Sequence, residues 1–456
     1  MNMRIFAKTA LSAMSVASLA AFAGPLDKAW LKGTTGKNPL FYEAGETMTF
    51  TVAPQRIEGE IPEGAYFLSW KRTGDDGVKE EGKIPFDGKP FTYSTSIGKP
   101  GFVRLFAEVV DAEGKKYKKK YTGDTTTPEG LKAANEFEKA GHGVFFDGGA
   151  GVGIDTLAAR PEPADFDAFW ARQREKLAKV PVKADVVEVP CDAEKVRMFA
   201  VSVDCAGPRP VTGYMTVPKA AYDGAKFPCR LVMFGYGFYR QSRPGVDNAK
   251  EVVFSINAHG MKLPEAGADD GYYKKLESSI KSNGQIYAFD PVQNKDPETA
   301  YFNGMALRVM RALQYLKTLE WWDGEHLIAC GGSQGGLQTM WAAGCGEGVT
   351  YANSSITWCC DLGGELEGRN RGNWYIRWSD GLGYYDPVNF AKRVPATCTV
   401  EIPRAGLGDY VCPPSGLAML WNALKCPKKI VWVQGSQHGY VPPKYEGRDF
   451  VRTSGM

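Results

Sequence analysis

The chain lacks both a strong net charge and a long apolar run. Its 456 residues carry a formal net charge of +3, and charged residues make up 23% of the composition. A near-neutral protein has no electrostatic reason to favour nucleic acid. Beyond the N-terminus, no stretch reaches the roughly 20 apolar residues that a membrane-spanning helix needs. We therefore expect neither a nucleic-acid partner nor a membrane span.

Histidine is scarce throughout the chain, and cysteine is absent from its N-terminal part. There are only four histidines, and all ten cysteines lie between Cys191 and Cys426. The cysteine spacing matches neither a small disulfide scaffold nor a zinc site, so no metal centre is predicted. Cys359 and Cys360 are adjacent and next to apolar residues. Buried free thiols are therefore at least as good an interpretation as disulfides, and the pairing stays open.

Residues 1–23 have the pattern of a secretory signal peptide. Arg4 and Lys8 give a positive start, residues 10–20 are small and apolar, and Ala21-Phe22-Ala23 is an A-x-A cleavage signature. No cysteine follows the cleavage site, so lipidation is not indicated. The pattern predicts an exported protein, and periplasmic and secreted proteins share this signal.

Residues 24–122 are predicted to form a β-sandwich domain. Alternating runs such as 47–52 and 102–109 are separated by turn signals such as 74–77. Strands at this spacing, without a helical period, are typical of an immunoglobulin-like module. The basic run 115–120 follows another turn signal and is predicted to be a solvated edge strand, with binding to an acidic polymer as the alternative. Docking, spacing or an active-site wall are the roles open to this domain.

The rest of the chain divides into a connector, 123–163, and a catalytic domain, 164–456. The glycine run 148–153 in the connector lacks the lysine of a phosphate-binding loop. From Asp165 onwards, strand-like and helical runs alternate, including a predicted buried strand at 285–290 and an amphipathic helix at 305–319. This alternation predicts an α/β fold with a doubly wound, mostly parallel sheet.

The catalytic domain is organised around a glycine-flanked serine. Ser333 lies in Gly331-Gly332-Ser333-Gln334-Gly335-Gly336, between a predicted strand at 327–330 and a predicted helix at 337–343. A strand, a sharp turn and a helix are what a nucleophile elbow requires, and side chains at the glycine positions would clash across the turn. We predict that Ser333 is a catalytic nucleophile; a glycine-rich structural turn is the alternative.

A serine hydroxyl needs a general base, and the scarcity of histidine allows a choice by elimination. His438 follows the strand-like run 430–433, at the sheet edge where α/β folds bind ligands. The other histidines lie in the connector, before the nucleophile, or at the opposite end of the nucleophile strand: His142, His259 and His326. We therefore predict that His438 is the base.

The acid that orients the base should lie between Ser333 and His438 in the chain. Asp409 stands just beyond a strand-like run that ends at Ile402. It is the predicted acid, with a helix cap as its purely structural interpretation and Asp361 and Asp386 as alternatives. Two backbone N–H groups must also form an oxyanion hole. We predict that these are the N–H groups of Gln334 and Tyr236.

These motifs resemble those of the acetyl xylan esterase and cephalosporin C deacetylase family, carbohydrate esterase family 7. The similarity spans about 161–441 and is carried by Gly331–Gly336, Gly408-Asp409 with Cys412-Pro413-Pro414-Ser415, His438-Gly439, and the segments 163–170 and 301–305. The resemblance implies an α/β-hydrolase that removes acetyl groups from sugars, without a cofactor, through the triad Ser333, Asp409 and His438.

One motif departs from that family, and one insert adds to the expected site. Where the family commonly carries Arg-Gly-Gln, this chain has Pro291-Val292-Gln293. The oligomeric state is left open. Between Ser333 and Asp409 lies an aromatic-rich insert whose tryptophans are predicted to stack on sugar rings, with core packing as the alternative: Trp358, Trp374 and Trp378.

Two other functions fit parts of the pattern. A serine peptidase or another ester hydrolase of the same fold would use the same triad, although such peptidases typically add a propeller that the N-terminal region is too short to form. A non-catalytic carbohydrate-binding protein would use the β-sandwich as the binder. The presence of three triad residues argues against a non-catalytic protein, and the motif resemblance favours an enzyme that acts on acetylated carbohydrate.

Overall fold

The computed structural model describes residues 24–121, 123–140 and 143–456. The predicted signal peptide, 1–23, and His142 lie outside the described residues. Over the described ranges the strands form sheets of three, four and ten strands. No described helix is both long and apolar enough to cross a membrane.

The strands and helices are numbered separately in chain order. The strands are β1 (Trp30–Thr35), β2 (Met48–Gln55), β3 (Phe67–Gly74), β4 (Glu80–Pro85), β5 (Phe91–Thr95), β6 (Gly101–Val110), β7 (Phe145–Val152), β8 (Ala184–Val189), β9 (Val196–Val203), β10 (Val211–Pro218), β11 (Phe227–Met233), β12 (Val252–Ile256), β13 (Trp322–Gly332), β14 (Tyr351–Ser355), β15 (Thr399–Gly406), β16 (Lys428–Val433) and β17 (Asp449–Ser454). The helices are α1 (Pro128–Ala140), α2 (Phe166–Ala178), α3 (Asp270–Ser279), α4 (Tyr301–Thr318), α5 (Gln334–Gly344), α6 (Pro387–Ala391) and α7 (Pro414–Ala423).

Strands β1–β7 form what we call the N-terminal β unit. One antiparallel sheet has the order β1-β2-β5 and the other β4-β3-β6-β7. The apolar residues of the two sheets share a core that includes Phe50, Val103 and Phe146. The β-rich N-terminal unit thus agrees with the sequence pattern, while its likeness to an immunoglobulin sandwich stays a prediction.

Two segments of the N-terminal half differ from their predicted form. The glycine run of the predicted connector belongs to β7, which pairs with β6 along its whole length. Glycine is needed there because a Cβ on Gly149 would lie 2.5 Å from the carbonyl oxygen of Val103 and 2.9 Å from that of Leu407. The basic run 115–120 is not a strand either. After its turn it forms only the bridge between Val110 and Lys116.

The ten-stranded sheet has a parallel centre and antiparallel edges. Its order is β17-β16-β15-β14-β13-β11-β12-β10-β9-β8, and the strands from β12 to β16 pair in parallel. The edge strands β8–β10 and β17 pair antiparallel. The predicted strand at 285–290 is wrong: Asn283 and Ala288 adopt positive φ angles of 48° and 67°, so the chain turns instead of extending.

The two parts of the molecule share apolar packing. Phe102 on β6 belongs to the same buried cluster as the strands and helices around the large sheet. Its ring stacks on Trp432 of β16, with 5.7 Å between the ring centroids. The N-terminal β unit is therefore packed against the large sheet on the side where β16 lies.

Candidate active site

Ser333 occupies a strained turn between β13 and α5. Its φ of 57° and ψ of −118° lie outside the regions that non-glycine residues normally adopt. A Cβ on Gly331 would lie 2.6 Å from the carbonyl oxygens of both Gly335 and Met233. Only glycine at these positions lets the chain turn this sharply from strand to helix, which leaves Ser333 at the N-terminus of α5.

Asp409 and His438 form a hydrogen-bonded pair. His438 Nδ1 lies 2.9 Å from Asp409 Oδ2. The other carboxylate oxygen of Asp409 accepts the N–H groups of Val411 and Cys412, each at 3.0 Å. Asp409 is fully buried, whereas the side chain of His438 is 30% exposed. A buried, oriented carboxylate of this kind fixes the orientation and the tautomer of the imidazole ring.

The acid and base loops are tied together by their backbones. They follow β15 and β16, which are parallel neighbours, and the N–H of Gly408 donates to the carbonyl oxygen of Ser436. The alternative acids lie elsewhere in the hydrogen-bond network. Asp386 caps α6, and burial raises its pKa to about 7; Asp361 pairs with Arg369.

Ser333 lies at the same edge of the sheet as this pair. The strands β13, β15 and β16 are parallel, so their carboxyl ends meet there. The N–H of Ser333 donates to the carbonyl oxygen of Ser355. The carbonyl oxygen of the next residue, Ile356, accepts a hydrogen bond from the thiol of Cys412. Within the described residues, the Ser333 hydroxyl makes no hydrogen bond to His438.

The loop after β11 carries Tyr236 beside the start of α5. A Cβ on Gly335 would lie 2.3 Å from the carbonyl oxygen of Met233, so helix and loop are in close contact. The Tyr236 N–H has no acceptor among the described residues. The N–H of Gln334 belongs to the first turn of α5, where no partner within the helix exists. Both groups are thus available as donors near Ser333.

Tyr287 joins these two predicted donors. Its hydroxyl donates to Gln334 Oε1 at 2.8 Å and accepts the Gly237 N–H at 2.9 Å. Its ring stacks on Tyr236 at 4.2 Å, with an interplanar angle of 9°. The side chain of Gln334 is therefore linked through the Tyr287 hydroxyl to the loop that carries Tyr236 and Gly237. No sequence motif marked Tyr287, because it lies in the segment predicted to be a strand.

His259, which was eliminated as a base, supports the same loop. Its Nε2 lies 3.0 Å from the carbonyl oxygen of Gly237 and its Nδ1 lies 2.8 Å from the Tyr301 hydroxyl. Because a carbonyl only accepts, Nε2 carries the proton and Nδ1 accepts from Tyr301. Burial lowers the pKa of His259 to about 4, which keeps the ring neutral. His326, by contrast, is exposed and pairs with Asp323.

The N-terminal β unit reaches the base loop directly. Asp147 on β7 is fully buried, accepts two hydrogen bonds from Arg104 and accepts a third from Gln437, the neighbour of His438. Gln434 exchanges two hydrogen bonds of 2.9 Å with the backbone of Gly149. Sequence reasoning missed these residues because their partners lie roughly 300 residues away along the chain.

A third side chain lies beside the acid–base pair. Cys412 Sγ is 3.7 Å from His438 Nδ1, and the ligand-type atoms of Asp409, Cys412 and His438 lie within 4.8 Å of one another. Burial raises the pKa of the Cys412 thiol well above its ordinary value, and the thiol donates to Ile356. The polar atoms of these three side chains are thus engaged with one another or with the backbone: His438 Nδ1 with Asp409 Oδ2, and the Cys412 thiol with the carbonyl oxygen of Ile356.

The three predicted sugar-contacting tryptophans differ in their surroundings. Trp358 is buried and packs against Tyr236 and Phe289, so the prediction of sugar contact is wrong for it. Trp374 is 39% exposed and lies edge-on to Tyr236 at 5.2 Å. Trp378 is partly buried, with the guanidinium of Arg160 at 5.9 Å from its ring centroid. Trp374 alone of the three offers an open face near the predicted donors.

All ten cysteines are free thiols in the structure, and most are buried. This outcome agrees with the free-thiol interpretation of Cys359 and Cys360. Their pKa values are raised well above the ordinary range by burial, so both stay protonated.

An elbow serine and an acid–base pair at the carboxyl edge of a parallel sheet are the architecture of the α/β-hydrolase class. The family model for acetyl xylan esterase (AXE1) matches residues 155–365 and 377–452. These ranges span more than half of the chain, so the chain belongs to the acetyl xylan esterase family. The N-terminal β unit precedes the matched ranges.

Relatives agree with this assignment. The acetyl esterase Axe7A of Xylanibacter ruminicola is 29% identical to this chain over 309 residues, which is 63% of this chain. The match covers 66% of Axe7A, so this chain spans just under two thirds of the length of that relative. The acetyl xylan esterase from Paenibacillus sp. R4 has a TM-score of 0.52 and 22% identity over 63% of this chain and 94% of its own. Acetyl xylan esterase 1 from Thermoanaerobacterium sp. JW/SL YS485 has a TM-score of 0.51 and 18% identity over 64% and 93%. At these identities the two structures establish the fold.

Proposed function

We propose that this chain is an exported serine esterase that removes acetyl groups from acetylated carbohydrate of the xylan type. The observation that carries the proposal is the hydrogen-bonded pair of Asp409 and His438. This pair lies at the same sheet edge as Ser333, in a chain that belongs to the acetyl xylan esterase family. The family's description as acetyl xylan esterase favours acetylated xylan-type carbohydrate as the substrate. The leader pattern of residues 1–23 supports export, and the pattern of residues 24–122 supports an immunoglobulin-like N-terminal domain.

The proposed reaction has two stages. His438 accepts the proton of Ser333 while the serine oxygen attacks the acetyl carbonyl carbon, and Asp409 stabilises the imidazolium that forms. The oxyanion accepts hydrogen bonds from the N–H groups of Gln334 and Tyr236. The carbon–oxygen bond to the sugar then breaks, and the sugar hydroxyl leaves with the proton from His438.

Water completes the reaction. His438 accepts a proton from water, the hydroxide attacks the acetyl-enzyme, and acetate leaves as Ser333 regains its proton. The scheme assigns every proton to a residue of the chain. Tyr287 and His259 have a supporting role, because they hold the oxyanion loop through Gly237.

The direct test is acetate release from acetylated xylo-oligosaccharides, acetylated pectin fragments and cephalosporin C. We expect acetate from at least one substrate and a loss of about 10⁴-fold or more in Ser333→Ala. Ser278→Ala, which removes an exposed hydroxyl on α3, should release acetate at the unaltered rate. Full activity in Ser333→Ala would contradict the proposal.

The same panel separates the rival functions. Cleavage of peptide esters and amides, without acetate from any sugar, would favour a peptidase of the same fold. Binding of oligosaccharides without hydrolysis of any ester, p-nitrophenyl acetate included, would favour a non-catalytic carbohydrate-binding protein.

A further inference from the structure

A groove of about 530 Å³ separates the N-terminal β unit from the loops that carry Asp409 and His438. Lys71, Lys79 and Arg104 line the wall that the N-terminal β unit provides. Arg371 and His438 line the same groove from the other part of the molecule. A ligand in this groove would therefore touch both parts of the molecule and the predicted general base at once.

The two walls have a fixed separation. The N–H of Asn370 donates to Asp75 Oδ1 at 2.8 Å, and its side-chain amide donates to Thr73 Oγ1 at 2.9 Å. The buried Asp147–Arg104 pair, with its hydrogen bond from Gln437, links them a second time. The groove is thus formed before a ligand arrives, which favours its use as a binding site.

The charge that faces the groove is positive. The two carboxylates in its lining, Asp147 and Asp409, are fully buried and already paired with Arg104 and His438. Lys79, in contrast, is exposed and has no hydrogen bond or ion pair among the described residues. Lys71 has Glu81 at 3.6 Å, and both side chains are more than half exposed, so this ion pair contributes little.

The arginines keep part of their donor capacity for a ligand. Arg104 uses Nε and Nη2 for Asp147, and its Nη1 has no acceptor in the described structure. Arg371 donates through Nη2 to two backbone carbonyls and leaves its other nitrogens without described partners. Together with Lys71 and Lys79, these groups line the cavity that the predicted base also lines.

We propose that this groove binds the carboxylate of a uronic acid unit that neighbours the acetylated sugar. The inference rests on the proposed function, because His438, the predicted base for an ester bound at Ser333, also lines the groove. Among the described residues Lys79 and Arg371 have no ion-pair partner, and a neutral sugar would leave them so, whereas a carboxylate forms charge-assisted hydrogen bonds with them. The N-terminal β unit then selects acidic, acetylated oligosaccharides.

The test measures binding apart from turnover. Calorimetry on Ser333→Ala uses three non-acetylated xylo-oligosaccharides of matched length: one with a glucuronic acid branch, its carboxyl-reduced form, and the unbranched neutral chain. We expect the acidic ligand to bind about tenfold more tightly than the reduced one at low salt. This preference should shrink as the salt concentration rises.

Variants locate the effect in the groove. Lys71→Gln/Lys79→Gln, in the Ser333→Ala background, should lose most of the preference for the acidic ligand. The matched control Lys28→Gln/Lys89→Gln removes two exposed lysines of the same unit that pair with Glu58 and Asp87, and it should keep the preference. Equal binding of the acidic and reduced ligands would overturn the inference, as would an equal loss in both double variants.

Failure of the groove inference and failure of the proposed function give different experimental results. Acetate release by the unaltered protein decides whether it is a deacetylase. The calorimetric preference for the acidic over the carboxyl-reduced ligand decides whether the groove binds a carboxylate. Acetate release without a preference for the acidic ligand would overturn only the inference that the groove binds a carboxylate. A preference with no acetate from any sugar would support the groove and overturn the deacetylase.

Discussion

At the residue scale, Asp409 has the surroundings that an orienting acid needs. It is fully buried, holds His438 Nδ1 at 2.9 Å, and is itself held by two backbone N–H groups. We expect Asp409→Asn to lower kcat on p-nitrophenyl acetate by about 10³- to 10⁴-fold, with little change in KM, because the wrong imidazole tautomer is then favoured. Asp361→Asn alters an alternative acid and should stay within about tenfold of the unaltered kcat. A larger loss in Asp361→Asn than in Asp409→Asn would contradict the assignment.

His259 gives stability a dependence on pH. It is almost fully buried, and its pKa falls from an ordinary 6.5 to about 4 in the folded chain. Between these values the unfolded chain binds a proton that the folded chain does not, so His259 makes stability fall as the pH falls. Asp386 acts in the opposite direction, since its folded pKa is about 7 and the folded chain holds its proton.

Because His259 and Asp386 act in opposite directions, the contribution of His259 to the pH dependence of stability is measured by comparison with a variant that lacks His259. The difference in the free energy of unfolding between the unaltered protein and His259→Gln should shrink by about 3 kcal/mol between pH 6.5 and pH 4. Urea unfolding at several pH values measures it. His326→Gln removes an exposed histidine and is the control. A difference that does not change with pH would show that His259 is not buried in its neutral form.

At the scale of elements, the junction between β13 and α5 depends on close backbone contact. A methyl group at Gly335 would meet the carbonyl oxygen of Met233 at 2.3 Å, and neither backbone is free to move. We expect Gly335→Ala to lower the free energy of unfolding by about 1–3 kcal/mol. It should also reduce kcat, because the helix N-terminus shifts relative to Ser333. Thermal denaturation and esterase assays measure the two effects.

Gly98→Ala is the control for that substitution, since nothing lies within 4 Å of its added methyl group. It should change neither stability nor activity. If Gly335→Ala were as stable and as active as Gly98→Ala, the described elbow would be incorrect.

Short-range patterns account for the elements that the sequence predicted. The elbow around Ser333, and the loops of Asp409 and His438, are each encoded within about ten residues of glycine, strand and turn signals. The segment 285–290 misled the prediction, because its apolar residues resemble a buried strand while Ala288 adopts a positive φ. That conformation is imposed by tertiary contacts of Tyr287, which local propensity does not contain.

The same limit applies to the supporting residues of the candidate site. Asp147 and Gln434 form hydrogen bonds with residues of the other part of the molecule. The glycines of β7 have the composition of a linker, and only their pairing with β6 shows that they form a strand. A linear pattern carries no signal for such contacts. The contacts of His259 and Tyr287 with Gly237, in the loop that carries Tyr236, are unpredictable from the sequence for the same reason.

At the scale of the whole molecule, the N-terminal β unit and the large sheet should unfold together. Phe102 is buried between them against Trp432, and the Gly149–Gln434 and Asp147–Gln437 hydrogen bonds cross the same boundary. Calorimetry should show one cooperative transition. Phe102→Ala should lower the free energy of unfolding by about 3–5 kcal/mol. Phe50→Ala, within the core of the N-terminal unit alone, should shift the same single transition. Two separate transitions in the unaltered protein would contradict a shared core.

The central claim is that Ser333 is the nucleophile of this esterase, and covalent labelling tests it most directly. The protein is treated with a fluorophosphonate, and the modified residue is located by mass spectrometry of its peptides. The account predicts one label on Ser333, loss of esterase activity in step with labelling, and no label in Ser333→Ala, while Ser278→Ala is labelled fully. A label on another residue, or full inactivation with Ser333 unmodified, would contradict it.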